Sequence, residues 1–402
     1  MKAAIEFRNV DIVFGNEKER SAAMPLINAG ASREEVVEKT GAVIGCTGIN
    51  LAVQHGEISV LMGLSGSGKS TLLRSVNGLN KIQGGEVIVE VAGKATSVSR
   101  ASDDELRRLR REGVAMVFQQ FALLPWRTVA DNVGFGLELS GMPAPERREK
   151  VMQQLKLVNL EEWADRYAHE LSGGMQQRVG LARALATEAP ILLMDEPFSA
   201  LDPLIRAKLQ DELLQLQARL KKTILFVSHD LEEALKIGNR ISIMQGGRIV
   251  QSGRPEEIVL SPANDYVREF VSHVNPLSVL TAGHVMRDVQ ELETAGDGWV
   301  WLDRRRTTRF LLDSNMLVVG AESHGEPADW ISCEDKSPMP AERNIVYWAQ
   351  AITPLKTVMH AIHQSQTAPV AVFDEASRFL GSIGVRDTLR AVMRGRGTVL
   401  ED

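Results

Sequence analysis

The sequence predicts an α/β fold with a buried, largely parallel sheet, followed by a smaller domain of different character. The apolar run Ile58 to Met62 leads into a glycine-rich loop and then into a helical pattern that starts at Leu72. A second run, Ile191 to Met194, is apolar throughout, as buried parallel strands are, and it ends in an acidic pair. Beyond Pro276 the periodicity changes to short strands and helices, which indicates a separate domain.

The loop at 63–71 reads GLSGSGKST and matches the phosphate-binding pattern GxxxxGK[ST] in full, between a strand and a helix as that pattern requires. A chain of this length matches by chance only about 2% of the time. Glycines let the backbone approach phosphate oxygens, and the N–H groups of the loop and helix supply positive potential. We expect Lys69 to reach the β- and γ-phosphates and the Ser70 hydroxyl to ligate Mg²⁺. The residues expected to contact ATP are Gly63, Leu64, Ser65, Gly66, Ser67, Gly68, Lys69, Ser70 and Thr71.

Other elements follow from capping and spacing. Segments 3–14, 48–62 and 86–91 are expected to form strands around the loop, and 241–253 a hairpin that turns at Gly246 and Gly247. Residues 125–170 are expected to be mostly helical. Two leucine- and valine-rich stripes at helical spacing should lie in the core. They are Val151, Leu155 and Val158, and Leu209, Leu213, Leu216 and Leu220.

Two further segments carry chemistry. At 171–175 the chain reads LSGGM, so Ser172, Gly173 and Gly174 open a helix with bare N–H groups, which is a second anion site. Asp195 and Glu196 end the second apolar run, at the edge where α/β sheets place their chemistry. Asp195 is placed to bind Mg²⁺, usually through water, and Glu196 follows it.

With these motifs the sequence resembles the ATP-binding subunits of ABC transporters. Leu171 to Met175 looks like their signature motif, and Ser199 to Asp202 like their D-loop. Gln119, in VFQ, resembles their Q-loop glutamine, and His229, in VSHD, their switch histidine. The resemblance implies an ABC-type P-loop NTPase domain with a RecA-like core, an antiparallel β subdomain and a helical subdomain.

Four segments narrow the resemblance to the ATPases of bacterial quaternary-amine importers, which take up glycine betaine, proline betaine, proline or choline. The first is a long insertion between Phe14 and the strand region near Ile49. Inside it, Ser32 and Glu35 form a capping box for a short helix that ends near Lys39. The other segments are 121–125, 202–206 and 262–268. Which amine is carried stays open, and import of another small solute is the alternative.

The resemblance also implies a role for each site residue. Glu196 is the candidate base that polarises the attacking water, because Asp195 is committed to the metal. The implied Mg²⁺ ligands are Ser70, Asp195 and Gln119, and His229 is implied to hydrogen-bond the γ-phosphate.

The remaining implied contacts lie at the adenine and at a partner's nucleotide. Phe14 matches an adenine-stacking aromatic, with a buried strand residue as the alternative. Ser172, Gly173 and Gly174 are implied to close over the ATP of a partner chain, so that a head-to-tail homodimer holds two nucleotides.

The length, charge and composition of the chain limit its domain number, its binding partners and its location. With 402 residues and a net charge of −6, the chain has room for two or three domains, and its acidity disfavours nucleic-acid binding. The four arginines between 107 and 111 are therefore interpreted as a solvated helix face. No apolar stretch approaches about 18 residues, and we expect a peripheral protein on the cytoplasmic face of the inner membrane. The pore would belong to permease subunits, supplied by a substrate-binding protein. Cys46 and Cys333 fit a reducing compartment.

The predicted domains are 1–273, which binds ATP, and 274–402. Residues 350–394 resemble one CBS unit, with Gly381 and Asp387 at positions where that family keeps a glycine and a ribose-binding aspartate, but with Gly384 where Ser or Thr is usual. The preceding unit, about 279–331, is degenerate, with one strand-like run at 310–319. A CBS-like α+β regulatory domain that binds a nucleotide, contacts an anionic membrane or only dimerises is therefore expected. The membrane contacts would be Arg304, Arg305, Arg306, Arg309, Arg386, Arg390, Arg394 and Arg396.

Two other classes of protein are disfavoured. A soluble ABC protein of translation or DNA repair needs a second nucleotide domain or a long coiled-coil insertion. A pure ligand-sensing module would leave the metal and base residues unexplained.

Overall fold

The computed structural model describes residues 2–199, 201–335, 344–365 and 368–395. Ala200 and Arg396, which were named above, lie outside these residues, as does the side chain of Arg394. Contacts divide the chain into two compact units, with the first ending at Arg254 and the second starting at Pro255.

The first unit contains two sheets. The antiparallel sheet has the order β2-β1-β4-β5, and the other has the order β10-β9-β3-β8-β7-β6, in which only β10 runs antiparallel to its neighbour. Their strands are β1 Ile5–Phe14, β2 Val43–Val53, β3 Ile58–Met62, β4 Gly84–Val91, β5 Lys94–Ser97, β6 Val114–Val117, β7 Ile191–Asp195, β8 Thr223–Val227, β9 Arg240–Gln245 and β10 Arg248–Gly253. A core that includes Phe7, Leu61, Leu72, Leu193 and Val227 joins residues of both sheets.

The helices of the first unit are α1 Glu17–Asn28, α2 Arg33–Thr40, α3 Lys69–Leu73, α4 Asp103–Arg108, α5 Val129–Leu139, α6 Ala144–Leu157, α7 Gly173–Ala186, α8 Pro203–Leu220 and α9 Leu231–Ile237. Helices α5, α6 and α7 pack on one another and form the expected helical subdomain. The stripe at Val151, Leu155 and Val158 is buried as predicted. The second stripe is only half right: Leu209 and Leu213 are buried, but Leu220 is 47% exposed because α8 ends there.

The insertion after β1 holds one helix more than the sequence predicted. Helix α2 is confirmed, with Ser32 accepting from the backbone N–H of Glu35 and Gly41 in the left-handed conformation at its end. Helix α1 was missed. It begins after Asn16, whose side chain forms a capping box with Glu19, so that Asn stands where this motif usually has Ser or Thr. A local apolar cluster fixes both helices on the sheet: Val13, Ala23, Ile27, Val36, Ala42 and Ile44.

The sheet order brings the functional loops together. Strands β3, β8, β7 and β6 are parallel, so their carboxyl ends lie at one edge. The glycine-rich loop follows β3, Glu196 follows β7, and His229 comes two residues after the end of β8. Gln119 comes two residues after the end of β6. Residues far apart in the sequence therefore meet at this edge.

The second unit contains a mixed sheet of order β11-β20-β19-β18-β17 and an antiparallel sheet of order β12-β13-β14-β15-β16. The strands are β11 Arg287–Asp288, β12 Thr294–Gly296, β13 Trp299–Trp301, β14 Thr308–Leu312, β15 Val318–Ser323, β16 Glu326–Pro327, β17 Asp329–Ser332, β18 Ile345–Gln350, β19 Val370–Phe373 and β20 Phe379–Ile383. The helices are α10 Pro255–Leu260, α11 Asp265–Val271, α12 Ala282–Val285, α13 Leu355–Gln364 and α14 Val385–Gly395. The predicted helix–strand–strand–helix order at 350–394 is confirmed as α13, β19, β20 and α14.

Two expectations about this unit differ from the structure. The contact-based boundary falls at 254/255 and not at 273/274, because Leu260 of α10 packs against the apolar core formed by α13, β19 and their neighbours. The strand expected at 310–319 is a hairpin of β14 and β15. Its turn is stabilised by the Asp313 carboxylate, which accepts hydrogen bonds from the backbone N–H groups of Asn315 and Leu317. Region 279–331 is thus mainly an antiparallel meander.

Candidate functional site

The glycine-rich loop is packed so closely that two of its positions admit no side chain. A Cβ on Gly63 would lie 2.2 Å from the carbonyl oxygen of Met244, and one on Gly68 would lie 2.4 Å from that of Gly45. Both glycines also have positive φ, +143° and +100°. The loop therefore forms a cradle of bare backbone between β2 and the β9–β10 hairpin.

Polar side chains of the loop lie inside this cradle. The Lys69 Nζ donates to the carbonyl oxygens of Gly63 at 2.8 Å and Leu64 at 3.0 Å. Burial lowers the pKa of Lys69, with the carboxylates of Asp195 and Glu196 opposing that shift. The Oγ of Ser67 is buried without a hydrogen-bond partner. A buried ammonium, an unpartnered hydroxyl and bare amides are a donor set that fits phosphate.

Next to the cradle, the structure brings two of the three predicted Mg²⁺ ligands together. The Ser70 Oγ donates to Oδ1 of Asp195 at 2.6 Å, and Asp195 is fully buried at the end of β7. The other oxygen, Oδ2, accepts from Nε and Nη2 of Arg74 at 3.1 and 2.9 Å. Sequence reasoning missed Arg74, although it lies one helical turn after Ser70. Gln119, the third predicted ligand, contacts neither Ser70 nor Asp195 through a hydrogen bond and instead reaches Glu196.

Glu196 lies between two other loops. Its Oε2 accepts from Nε2 of Gln119 at 3.1 Å and lies 3.1 Å from Nδ1 of His229. The residue has a φ of +47°, unusual for a non-glycine, and its backbone N–H is held by the carbonyl of Val227. The side chain is mostly shielded but not closed off, with 16% exposure. A carboxylate in this position can accept a proton from a water molecule that enters from solvent.

A buried polar network supports the loop that carries His229. The Ser228 Oγ donates to Oε2 of Glu233 at 2.5 Å, and Nε2 of Gln210 donates to Oε1 at 3.0 Å. Burial raises the pKa of Glu233 above its usual range, and the two hydrogen bonds oppose that shift. The backbone N–H of Asp230 donates to the Ser228 hydroxyl at 3.0 Å. Sequence reasoning missed Glu233 and Gln210, because nothing local distinguishes them from other helix residues.

Phe14 is exposed at the end of β1, with 43% of its surface accessible, so it is not a buried strand residue. Its ring covers Gly45: a Cβ there would lie 2.8 Å from Cε2 of Phe14 and 2.8 Å from Cγ2 of Thr71. The ring thus stands beside the first turn after the glycine-rich loop, with area left to stack on a base.

The signature-like motif begins α7 and faces outward. Ser172 is the N-cap residue, and its side chain accepts from the backbone N–H of Met175 at 3.4 Å. Ser172 and Gly173 are exposed, and the nearest atoms to a Cβ on Gly174 belong to Leu201. The helix N-terminus is therefore available to a second molecule.

Comparison with known proteins gives the family. The ABC transporter family model matches residues 46–199. The glycine betaine/proline betaine transport ATP-binding protein ProV of Escherichia coli is 43% identical over 98% of this chain and 98% of its own length. The chain belongs to the ATP-binding subunits of quaternary-amine ABC transporters. The glycine betaine/carnitine transport ATP-binding protein GbuA of Listeria monocytogenes is 42% identical over 97% of this chain and 98% of its own.

A solved structure agrees with this family and fold. A dimeric ATP-binding cassette in a post-hydrolysis state, bound to ADP and phosphate, superposes with a TM-score of 0.53 and 32% identity, covering 62% of this chain and 98% of its own. As a member of this family the chain binds and hydrolyses ATP. In the part of the chain that the structure describes, every helix is too short or too polar to cross a bilayer.

The four arginines between 107 and 111 are exposed, as predicted for a solvated helix face, and their contacts are local. Arg107 pairs with Asp104 at 3.0 Å, and Arg111 pairs with Glu112 at 2.6 Å. Arg110 donates to the carbonyl oxygens of Asn77 and Gly78, in the turns that follow α3. Exposed pairs of this kind contribute little to stability, so this segment remains a solvated surface.

Proposed function

We propose that this chain hydrolyses ATP with Glu196 as the base and thereby drives uptake of a quaternary amine through a separate permease. The position of Glu196 carries the proposal. Its carboxylate lies between Gln119 and His229 and follows directly after the buried Asp195. Lys69 and the loop amides would hold the phosphates, and Ser70 and Asp195 would hold Mg²⁺.

Each group has a task that its chemistry supports. Hydrolysis of a phosphoanhydride depends mostly on positioning and charge stabilisation. Mg²⁺, when bound, neutralises phosphate charge. Lys69 adds a buried positive charge at the same place, and Glu196 orients water and takes its proton. Gln119 is proposed to report nucleotide occupancy to the permease, and also to approach Mg²⁺ once nucleotide is present. Phe14 is proposed to stack on adenine.

The exposed start of α7 supports a shared site. Ser172, Gly173 and Gly174 are proposed to bind the γ-phosphate of the ATP held by a second copy of the chain, in a head-to-tail homodimer. The related cassette that was solved with ADP and phosphate is also dimeric. ATP would then favour the closed dimer, and loss of the γ-phosphate would release it.

The transported solute is inferred from the relatives. The names of ProV and GbuA give glycine betaine with proline betaine or carnitine, so a glycine betaine-type or choline-type amine is the proposed cargo. The chain would act on the cytoplasmic face of the inner membrane, with permease subunits and, indirectly, a substrate-binding protein. Uptake of labelled betaine, choline and proline by a deletion strain tests this assignment. If the deletion strain still takes up all three compounds, the cargo is another small solute.

Replacing the proposed base tests the ATPase assignment. Glu196→Gln keeps the shape of the side chain and removes its charge, so turnover should fall roughly 10²–10⁴-fold, about 3–5 kcal/mol of barrier, while ATP still binds. An ATP-bound dimer should accumulate on gel filtration. Glu188→Gln is the control, because that carboxylate is exposed and forms a surface ion pair with Lys150 at 3.3 Å. Near-normal hydrolysis by Glu196→Gln would remove it from the role of base.

We further propose that the second unit is a CBS-like regulatory domain. The confirmed order of α13, β19, β20 and α14 supports this, and so does Gly381, where a Cβ would lie 1.9 Å from the carbonyl oxygen of Arg287 on the paired strand β11. A basic cavity of about 670 Å³ lies in this unit, and its lining includes Arg304, Arg305 and Arg386.

Asp387 has a local task in this unit. Its Oδ2 accepts from the backbone N–H of Gly384 at 2.8 Å and lies 3.5 Å from Nε of Arg287, so the carboxylate stabilises the start of α14. A nucleotide ribose would have to displace these contacts. The charges of Arg304, Arg305 and Arg386 are therefore better placed than Asp387 to bind a regulatory anion or an anionic membrane.

Full-length point variants test this second proposal better than a cut at Pro276, which would separate α10 and α11 from the core on which Leu260 packs. Arg304→Gln with Arg305→Gln should leave ATP hydrolysis by the free subunit unchanged. If the arginines contact lipid, the double variant should alter the response of reconstituted transport to ionic strength. Salt screens the attraction between arginines and anionic lipid, which falls off over a Debye length of about 8–10 Å. Asp387→Ala should abolish nucleotide binding by this unit if a nucleotide is the signal. Unchanged salt and nucleotide responses would leave dimerisation as its role.

A further inference from the structure

The insertion between β1 and β2 carries an arginine, Arg33, that contacts the glycine-rich loop. Arg33 is the first residue of α2. Its Nε donates to the carbonyl oxygen of Ile44 at 3.1 Å, Nη2 donates to the same oxygen, and Nη1 donates to the carbonyl oxygen of Gly66 at 3.2 Å. The guanidinium thus bridges the edge strand β2 and the tip of the loop.

Gly66 is a point of the loop that packing does not restrain. It is exposed and has a φ of +76°, and nothing lies within 4 Å of the position that a Cβ would take. Its neighbours are held differently: Gly63 and Gly68 press on Met244 and Gly45, and the backbone N–H of Gly247 donates to the carbonyl of Ser67 at 3.1 Å. The hydrogen bond from Arg33 therefore restrains the tip where close packing is missing.

The direction of the bond matters for phosphate binding. A peptide unit is planar and trans, so its carbonyl and its N–H point in opposite directions. When Arg33 holds the Gly66 carbonyl toward α2, it also orients the N–H of Ser67 in the same peptide unit, which donates to the carbonyl oxygen of Leu64 at 3.2 Å within the loop. Phosphate recognition in this kind of loop depends on the orientation of such N–H groups.

The insertion is built to hold Arg33 in place. Val36, one turn further along α2, is fully buried in the cluster formed with Val13, Ile27 and Ile44. The Ser32 side chain accepts from the Glu35 N–H at 3.1 Å, which fixes the start of the helix at Arg33. A fork-shaped guanidinium suits this position because it donates to two carbonyls at once.

We propose that Arg33 is a positioning residue for the glycine-rich loop, through which the insertion sets the affinity for the phosphates of a nucleoside di- or triphosphate. This inference rests on the proposed assignment of the loop to phosphate binding. It places Arg33 outside the reacting groups. The insertion thereby becomes part of the nucleotide site, with the folding of α2 linked to the geometry of the loop.

Binding of MgADP by calorimetry tests the proposal, because ADP carries the β-phosphate and is not hydrolysed. Arg33→Gln should raise the Kd for MgADP about tenfold, equivalent to about 1.4 kcal/mol, and raise the KM for ATP similarly. The kcat at saturating ATP should stay within about twofold, since uniform binding is lost and not transition-state binding. Arg33→Lys should recover part of the affinity, because an ammonium can donate to one carbonyl but does not span two in the same plane.

Arg20→Gln is the matched control. Arg20 lies in the other helix of the insertion and donates to the backbone carbonyl of Gly15 at 2.8 Å, a similar bond that does not reach the loop. The Kd of Arg20→Gln for MgADP should equal that of the unaltered chain. An equal rise in both variants would show that stability of the insertion, and not Arg33, sets affinity. An unchanged Kd in Arg33→Gln would overturn the proposal, and Arg33→Lys serves if the Gln variant does not fold. Failure of the unaltered chain to bind MgADP would instead refute the phosphate assignment itself.

Discussion

Alanine at Gly68 and alanine at Gly66 should destabilise the first unit by different amounts, although both positions belong to the same loop. Both have positive φ, +100° and +76°, which an L side chain disfavours. Only at Gly68 would the new methyl group also meet a backbone atom, the carbonyl oxygen of Gly45, at 2.4 Å. A backbone atom inside a sheet cannot swing aside, so the strand or the loop has to move.

The magnitudes follow from these two costs. A left-handed backbone costs an alanine about 1–2 kcal/mol, and this is the whole cost at Gly66. At Gly68 an overpacking cost of about 1–3 kcal/mol is added, which gives a total of about 2–5 kcal/mol. For a unit of this size each kcal/mol shifts the melting temperature by about 2–4 °C. Gly66→Ala should therefore lower the melting temperature by about 2–8 °C and Gly68→Ala by about 4–20 °C, with the larger loss at Gly68.

Thermal unfolding of the nucleotide-free full chain measures the difference. The relevant transition is the one that MgATP raises in the unaltered protein, because ligand binding stabilises the unit that binds it. Gly93→Ala is the control for the backbone cost alone, since Gly93 has a φ of +82° and nothing within 4 Å of its Cβ position. It should resemble Gly66→Ala. Equal shifts for Gly66→Ala and Gly68→Ala would refute the steric argument.

Three further predictions address the site. Ser172→Arg should abolish ATP-driven dimerisation, and mixing it with Lys69→Ala should restore at most one competent site per dimer, as measured by ATPase activity across mixing ratios; dimerisation of Ser172→Arg on its own would contradict the shared site. Phe14→Ala should raise the Kd for ATP by roughly 5- to 150-fold, since stacking on a base contributes about 1–3 kcal/mol, whereas Phe14→Tyr should keep the affinity of the unaltered chain. Equal affinities of Phe14→Ala and the unaltered chain would exclude stacking. Glu233→Gln should change how stability depends on pH. The raised pKa means that the folded state binds the Glu233 proton more tightly than the unfolded state, so its contribution is present below the usual value of 4.5 and is lost as pH rises above it. As the pH rises above 4.5, the free energy of unfolding of Glu233→Gln, measured in urea, should increase relative to that of the unaltered chain. Parallel plots of stability against pH for the two proteins would contradict the raised pKa of Glu233.

The parts of the site that sequence reasoning located are those whose chemistry is written in a short stretch of chain. The glycine-rich loop, Glu196 and His229 each follow an apolar strand within two residues, so predicting the strand also places the residue. Parallel strand ends share one edge, so Glu196 and His229 could be placed on the same side of the sheet. That β7 and β8 are neighbours, and that the two side chains lie 3.1 Å apart, is known from the structure.

The missed residues depend on contacts between distant segments. Arg74 acquires its partner, Asp195, 121 residues away, and Glu233 its second donor, Gln210, through the packing of α8 against α9. The apolar periodicity of the helices that carry these residues gives no sign of either contact. The meander in the second unit was missed because its strands have two to six residues, too few for alternation to stand out.

The contact between His229 and Glu196 limits how the site can respond to ATP. If Nδ1 of the neutral ring donates its proton to the Glu196 carboxylate, Nε2 is left as an acceptor and cannot donate to a phosphate oxygen. Donation to the γ-phosphate therefore requires the ring to carry two protons or to release Glu196. Release would free Oε2 from one of its two neighbours and leave it to Gln119 and to water. Contact of His229 with the γ-phosphate and activation of Glu196 as a base would then be one event, so that hydrolysis begins only when the γ-phosphate is in place.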